Sequence, residues 1–310
     1  MHEHEMPALS RRQVMALGVG AAAGALVGAS AEAQAAILTR PIPHSGEMLP
    51  VVGLGTARVF NVGDDAGKRA EVRKVIEALV AGGAKLIDTA AAYGSSEGVV
   101  GDVVDAARLR DKVFLATKIA VRDRAASIAE MEQGRRRLRT QKIDLEQLHN
   151  VRDPNTDLGL FREWKAAGIC RYIGITTSFN GDHGAVAAVV AREKPDFVQV
   201  NYSIADREAE KRVLPAAKDA GAAVLINEPL GTGGLFRLVR GKALPDWAAE
   251  FDAATWGQFF LKYLIANEAV TAVIPATSKA EHMVDNLGAG RGKLPDKAMR
   301  ARMVAFIDGL

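Results

Sequence analysis

The chain has 310 residues, 48% of them hydrophobic, and a formal net charge of +3. An apolar share of that size can bury a full core, while the mild basicity lacks the one-faced Lys/Arg clustering that nucleic acid requires, so no nucleic-acid partner is expected. The single cysteine, Cys170, excludes an internal disulfide, leaving the fold to stand on packing alone.

The first element is the stretch "SRRQVMALGVGAAAGALVGASAEAQA". Arg11 and Arg12 precede a weakly apolar Ala/Gly-rich run from Val14 to Ala29, closed by the small-residue signature Ala33-Gln34-Ala35. Residues 1–35 thus resemble a twin-arginine (Tat) export signal. The run is shorter than the roughly 20 residues of a membrane helix, so no stable membrane span is expected. The resemblance implies folding and cofactor loading in the cytoplasm, then passage through the Tat export machinery to the periplasm. The alternative is an uncleaved N-terminal anchor facing the periplasm.

Residues 36–310 read as one domain. "AILTRPIPHSGEMLP" gives two short strands around a Ser45-Gly46 turn. Short apolar runs, typical of strands buried on both faces, then end near Gly55, Asp88, Lys118, His149, Thr176, Asn201, Asn227 and Pro275. Segments of helical period lie between and after them: Ala66–Ala81, Gly98–Arg108, Ala126–Thr140, Leu158–Ala167, Gly184–Arg192, Glu208–Ala220, Ala253–Asn267 and Lys279–Leu287. The basic run "GRRRLRTQK" closes one of these helices, where positive charge complements the dipole. Eight strands alternating with eight helices over about 240 residues give an α/β fold, the (β/α)8 TIM barrel. It carries an N-terminal β-hairpin and an extra C-terminal helix over Pro295–Ile307. A doubly wound sheet would favour G-x-G-x-x-G after the first strand, and "GLGTARVF" lacks that spacing.

The polar residues fall at the C-terminal strand ends, where barrel enzymes place their chemistry. Asp88 ends the second strand with Tyr93 just beyond it, Lys118 ends the third in "VFLATKI", and His149 ends the fourth in "IDLEQLHN". Each alone has an ordinary reading: a turn residue, a packing aromatic, a snorkelling lysine, a hydrogen-bonded histidine. Together they suit proton delivery to a carbonyl that receives a hydride. An ammonium near Tyr93 is expected to lower its pKa, a carboxylate to keep that ammonium charged, and an imidazole to position the substrate oxygen.

With these residues in place, the sequence resembles the aldo-keto reductase superfamily. The resemblance rests on "GLGT" at Gly53–Thr56, "DTAAAYGSSE", "LATKI", "QLHN", "GIT" at Gly174–Thr176, "QVNYS" at Gln199–Ser203 and "IPATSKAEHMVDN" at Ile274–Asn286. It implies an NAD(P)H-dependent oxidoreductase acting on a small-molecule carbonyl substrate. Tyr93 would be the general acid/base, tuned by Lys118 and Asp88, with His149 orienting the carbonyl. It further implies a dinucleotide lying across the barrel mouth. Thr56, Asp88, Thr176, Gln199 and Asn201 would serve the nicotinamide end, and Leu230, Gly231, Thr232, Gly233 and Leu235 the pyrophosphate. Thr277, Ser278, Lys279, His282, Asp285 and Asn286 would serve the adenosine end.

Three positions depart from the family pattern. Asn227 stands where an aromatic commonly stacks on the nicotinamide, with Phe60 or Phe236 as replacements. Thr176-Thr177 stands for the usual Ser-Asn. Ala276 and His282 stand for the Lys and Arg that grip a 2′-phosphate, leaving Lys279 to compensate; NADP(H) is preferred over NAD(H) on family grounds. Glu228 needs a partner, for which Arg237 is one choice. Two other functions stay open: a nicotinamide-binding redox sensor with negligible turnover, and a barrel aldolase using Lys118 as Schiff-base nucleophile.

Overall fold

Eight of the apolar runs become parallel strands, and their pairing order follows the chain. In the computed structural model, which describes residues 35–120 and 123–310, a hairpin of β1 (Thr39–Pro41) and β2 (Met48–Pro50) comes first. The barrel strands are β3 (Leu54–Gly55), β4 (Leu86–Asp88), β5 (Phe114–Ile119), β6 (Ile143–Leu148), β7 (Cys170–Thr176), β8 (Phe197–Asn201), β9 (Ala223–Asn227) and β10 (Ala272–Val273). Each pairs in parallel with the next. Parallel bridges Val52–Val273 and Gly55–Ala276 join the last strand to the first. Gly55 is needed there, because a Cβ would lie 2.7 Å from the Ile274 carbonyl oxygen. Closure excludes the doubly wound sheet. The export-signal expectation lies outside the described residues.

The surrounding helices are α1 (Ala66–Ala81), α2 (Ser96–Ala106), α3 (Arg124–Arg137), α4 (Gly159–Ala166), α5 (His183–Glu193), α6 (Val213–Ala220), α7 (Gly234–Leu238), α8 (Trp256–Ile265), α9 (Ala280–Gly288) and α10 (Lys297–Asp308). Capping sets several starts. Asp65 accepts from Lys68 N at 3.0 Å before α1, and Asp296 accepts from Met299 N at 2.8 Å before α10. α1 then buries Val72, Val75, Ile76 and Leu79, the i, i+3, i+4, i+7 stripe of a core-facing helix. The segment expected to be helical from Ala253 starts at Trp256 instead, because Thr255 is its cap, accepting from Gln258 N at 3.1 Å. The short α7 was not expected, since its glycine-rich entry reads as a loop.

The hairpin plugs the barrel's N-terminal end. Ile42 and Leu49 are fully buried against Leu86, Phe114, Leu145, Tyr172, Phe197 and Leu225. Glu47 fastens the plug, accepting from Lys85 at 2.9 Å and from the Tyr172 hydroxyl at 2.8 Å. With that end plugged, the polar residues at the C-terminal strand ends are the ones that open on a cavity.

One buried group sits badly. Glu146, on the helix-facing side of β6, is 1% exposed, and neither carboxyl oxygen has a hydrogen-bond partner. Burial, and then the nearby Glu97 and Glu130, push its carboxyl well above the ordinary range. An acid raised on folding contributes stability below its unfolded value that is lost as pH rises through the folded one. Glu146→Gln is therefore expected to melt above the parent at pH 8, by about 2–4 °C, as about 1 kcal/mol gives in a domain of this size. Calorimetry at pH 4 and pH 8 checks this; the gap should shrink toward pH 4.

Candidate active site

The strand register assembles the site. Lys118 on β5 pairs with Gln147 on β6, Gln147 with Gly174 on β7, and Thr176 with Gln199 on β8. Asp88 ends β4 beside this layer and points across it. Lys118 is 0% exposed and Asp88 3%. The lysine Nζ donates to Asp88 Oδ2 at 2.5 Å and to the Thr89 carbonyl at 2.8 Å. The other oxygen, Asp88 Oδ1, accepts from Gln199 Nε2 at 2.8 Å and from Gln147 Nε2 at 3.2 Å. Both charges are thus removed from water with most of their hydrogen-bonding capacity met, the condition under which a buried pair is tolerated.

Tyr93 sits in the turn after β4, where its amide donates to the Ala90 carbonyl at 3.0 Å. Its ring centroid lies 4.9 Å from Lys118 Nζ and 5.8 Å from the His149 ring, edge-on at 81°. His149 is fixed through its backbone, which donates to the Ile119 carbonyl at 2.8 Å. Asp88, Tyr93 and His149 all line a cavity of about 680 Å³ at the barrel mouth.

The electrostatics follow from burial and from Lys118. Burial pulls the Lys118 ammonium down, but Asp88 and Tyr93 together push it up by more, so it is held above its ordinary value. Burial pushes the Tyr93 phenol up, and the ammonium pulls it only part of the way back. The expected net lowering of Tyr93 is not what the folded chain gives, because burial of the phenol outweighs the neighbouring charge. The phenol is therefore held in its protonated form. Burial and then Lys118 lower the His149 imidazole to about 4, leaving it neutral at physiological pH.

The cofactor candidates divide into three groups. Gln199, Thr176, Leu230, Thr232 and Gly233 line the cavity, together with Asp88. Thr56 is fully buried with its hydroxyl given to the Asp88 carbonyl at 3.0 Å. Asn201 is bound to His183 at 2.9 Å and to Asp206 at 3.0 Å, away from the cavity lining. Gly231 and Leu235 belong to the Gly-rich turn but not to the lining, and neither do Thr277, Ser278, Lys279, His282, Asp285 and Asn286. Of these last, Ser278, Lys279 and His282 are exposed at the start of α9, whereas Asp285 is held by the Thr255 hydroxyl at 2.9 Å.

The departures resolve in part. Phe60 is fully buried in the core and cannot face the cavity, whereas Phe236 lines it. Asn227 also lines it, donating through Nδ2 to the Thr177 carbonyl at 2.8 Å, while its Oδ1 is buried without a partner. Among the described residues Glu228 forms no ion pair with Arg237; burial raises its carboxyl and Arg58 pulls it partly back. The residue the sequence did not announce is Gln147. The signal was available: it lies two positions before His149 and so shares its strand face.

A dinucleotide suits these residues. Gly231, Thr232 and Gly233 take consecutive left-handed φ values of 57°, 50° and 83°, a concave backbone of the kind that receives anions. Thr232 holds that conformation despite its side chain, as residues at ligand sites do.

The chain matches the Aldo/keto reductase family over residues 51–303. It is 31% identical over 217 residues to "Aldo-keto reductase YhdN" of Bacillus subtilis, a match spanning 65% of this chain and 63% of that protein. It is 26% identical over 264 residues to an aldo-keto reductase of a Mycobacterium species, covering 83% of this chain and 87% of the relative. Among solved structures, an aldo-keto reductase of Klebsiella pneumoniae in complex with NADPH superposes with a TM-score of 0.73 at 26% identity, over 87% of this chain and 96% of that one.

Removing one member of a buried pair leaves the other uncompensated, at a cost of roughly 3–5 kcal/mol. Lys118→Met should lose stability of that order in urea denaturation. Adding Asp88→Asn to the same protein should recover most of the loss.

Proposed function

The chain belongs to the aldo/keto reductase family, and from that premise we propose that it reduces aldehyde or ketone carbonyls to alcohols, or runs the reverse reaction. The observation that carries this is the buried Lys118 ammonium held between the Asp88 carboxylate and the Tyr93 ring. A nicotinamide cofactor, when bound, supplies the hydride. The protein's task is to deliver a proton to the carbonyl oxygen and to hold that oxygen in position.

Tyr93 is the proton donor in this reading. Its phenol is protonated at neutral pH, and the ammonium beside it stabilises the phenolate left after transfer. Asp88 keeps the ammonium charged and aimed. His149, neutral down to about pH 4, offers a ring N–H to the carbonyl oxygen without bringing a competing charge. An amine kept charged is no Schiff-base nucleophile, which argues against aldolase chemistry at Lys118.

In the same reading, Gln199 and Thr176 serve the nicotinamide end, with Thr56 and Asn201 behind them. The Leu230–Gly233 turn and Leu235 serve the pyrophosphate. Thr277, Ser278, Lys279, His282, Asp285 and Asn286 serve the adenosine end. NADP(H) is favoured over NAD(H) by the NADPH carried by the Klebsiella relative and by the exposed Lys279 near the start of α9. Delivery to the periplasm is proposed on the N-terminal sequence alone: the Arg11-Arg12 pair, the Val14–Ala29 stretch and the Ala33-Gln34-Ala35 signature.

Tyr93→Phe is expected to cut steady-state aldehyde reduction by at least about 100-fold, the usual lower limit for a lost general acid, with cofactor affinity unchanged in fluorescence titration. A burst of one turnover followed by silence in the parent protein would favour a sensor over an enzyme. Because His149 titrates near 4, the reduction rate should show no inflection near the ordinary imidazole value of 6.5.

A further inference from the structure

Asp88 has two oxygens and only one of them faces Lys118. The orientation of the carboxylate is therefore a separate problem from its charge, and the two glutamine amides on Oδ1 solve it. Gln199 Nε2 also approaches Gln147 Oε1 at 3.3 Å, and Gln147 Nε2 lies 3.4 Å from the Thr117 carbonyl. Gln147 is fully buried and its amide is engaged at both ends. Its place in the layer depends on a missing side chain: a Cβ on Gly174, its register partner on β7, would lie 3.1 Å from Gln147 Cγ.

Resting on the reductase reading above, we propose that Gln147 is a positioning residue that holds Asp88 Oδ1 by donation, so that Oδ2 stays turned to Lys118 and proton delivery from Tyr93 stays independent of pH across the neutral range. The charged and titratable groups around this carboxylate are Lys118 from β5, Tyr93 from the turn after β4 and His149 beyond β6; Glu228 beyond β9 acts on Tyr93, and Arg58 acts on Glu228. Glu146 acts on Lys118 from the opposite face of β6. Gln147 is the neutral member of this set. Its amide donates at every pH, where a carboxyl in its place donates only while protonated and repels Asp88 once ionised.

That difference supplies the test. Three full-length proteins, the parent, Gln147→Glu and Gln147→Met, are assayed for NADPH-dependent reduction of a generic aldehyde from pH 5 to pH 8. Folding is checked by circular dichroism and NADPH affinity by fluorescence titration. The parent rate should be flat. Gln147→Glu should work at pH 5 and fall by about tenfold or more toward pH 8, the size expected for losing a hydrogen bond to a charged group. Gln147→Met, which cannot donate, should be about tenfold slower at all pH values with NADPH affinity kept. A folded Gln147→Glu whose profile runs parallel to the parent's, or a Gln147→Met with full activity, overturns the inference while leaving the reductase reading intact. A parent that reduces no aldehyde at any pH overturns the reading itself, and the inference with it.

Discussion

A lysine ammonium with no exposure to solvent, held 2.5 Å from an aspartate, is the constraint on which the site depends. Neither charge is tolerable alone at that depth, so each fixes the other. Everything near them adjusts. The phenol of Tyr93 is drawn back from the full effect of its burial, His149 is kept neutral, and two glutamine amides occupy the carboxylate oxygen that the ammonium leaves free.

The barrel makes such a pair possible. Parallel strands buried on both faces bring one polar side chain from each of several strands to one end, while the hairpin of Ile42 and Leu49 seals the other with apolar surface. The two ends therefore divide the labour. The sealed end anchors the fold, and the open end spends part of that stability on burying Lys118, Asp88 and Gln147 together. Glu146 is another buried acid, on the outer side of the same strands, and it lacks the partners that Asp88 has.

Much of this was legible in the chain. Strand ends at Asp88, Thr176, Asn201 and Asn227 coincide with those read from apolar runs, because a strand buried on both faces stops where its first polar groups reach the mouth. For Gln147 only the strand face was legible, from its place two positions before His149; its partner was not, since a glutamine on that face looks the same whether it meets a carboxylate or water. The direction of the Tyr93 shift was also hidden. Its sign depends on how deeply the ring is buried against how near the ammonium lies, and sequence fixes neither. The pairing of Glu228 with Arg237 failed for a related reason: proximity along the chain says little across a turn built from left-handed residues. The family resemblance carries Asn201 to the nicotinamide end, and in the folded chain its amide is bound to His183 and Asp206.

The charge state of the buried lysine is the most direct measure of the whole arrangement. Nitrogen NMR of protein carrying 15N-labelled lysine, with Lys118 assigned through its substitution, reports whether that nitrogen is an ammonium or an amine. A Lys118 signal still characteristic of ammonium at pH 9 is the expected result. A neutral amine there would mean that Asp88 does not hold the charge, and the role given to Tyr93 would lose its basis.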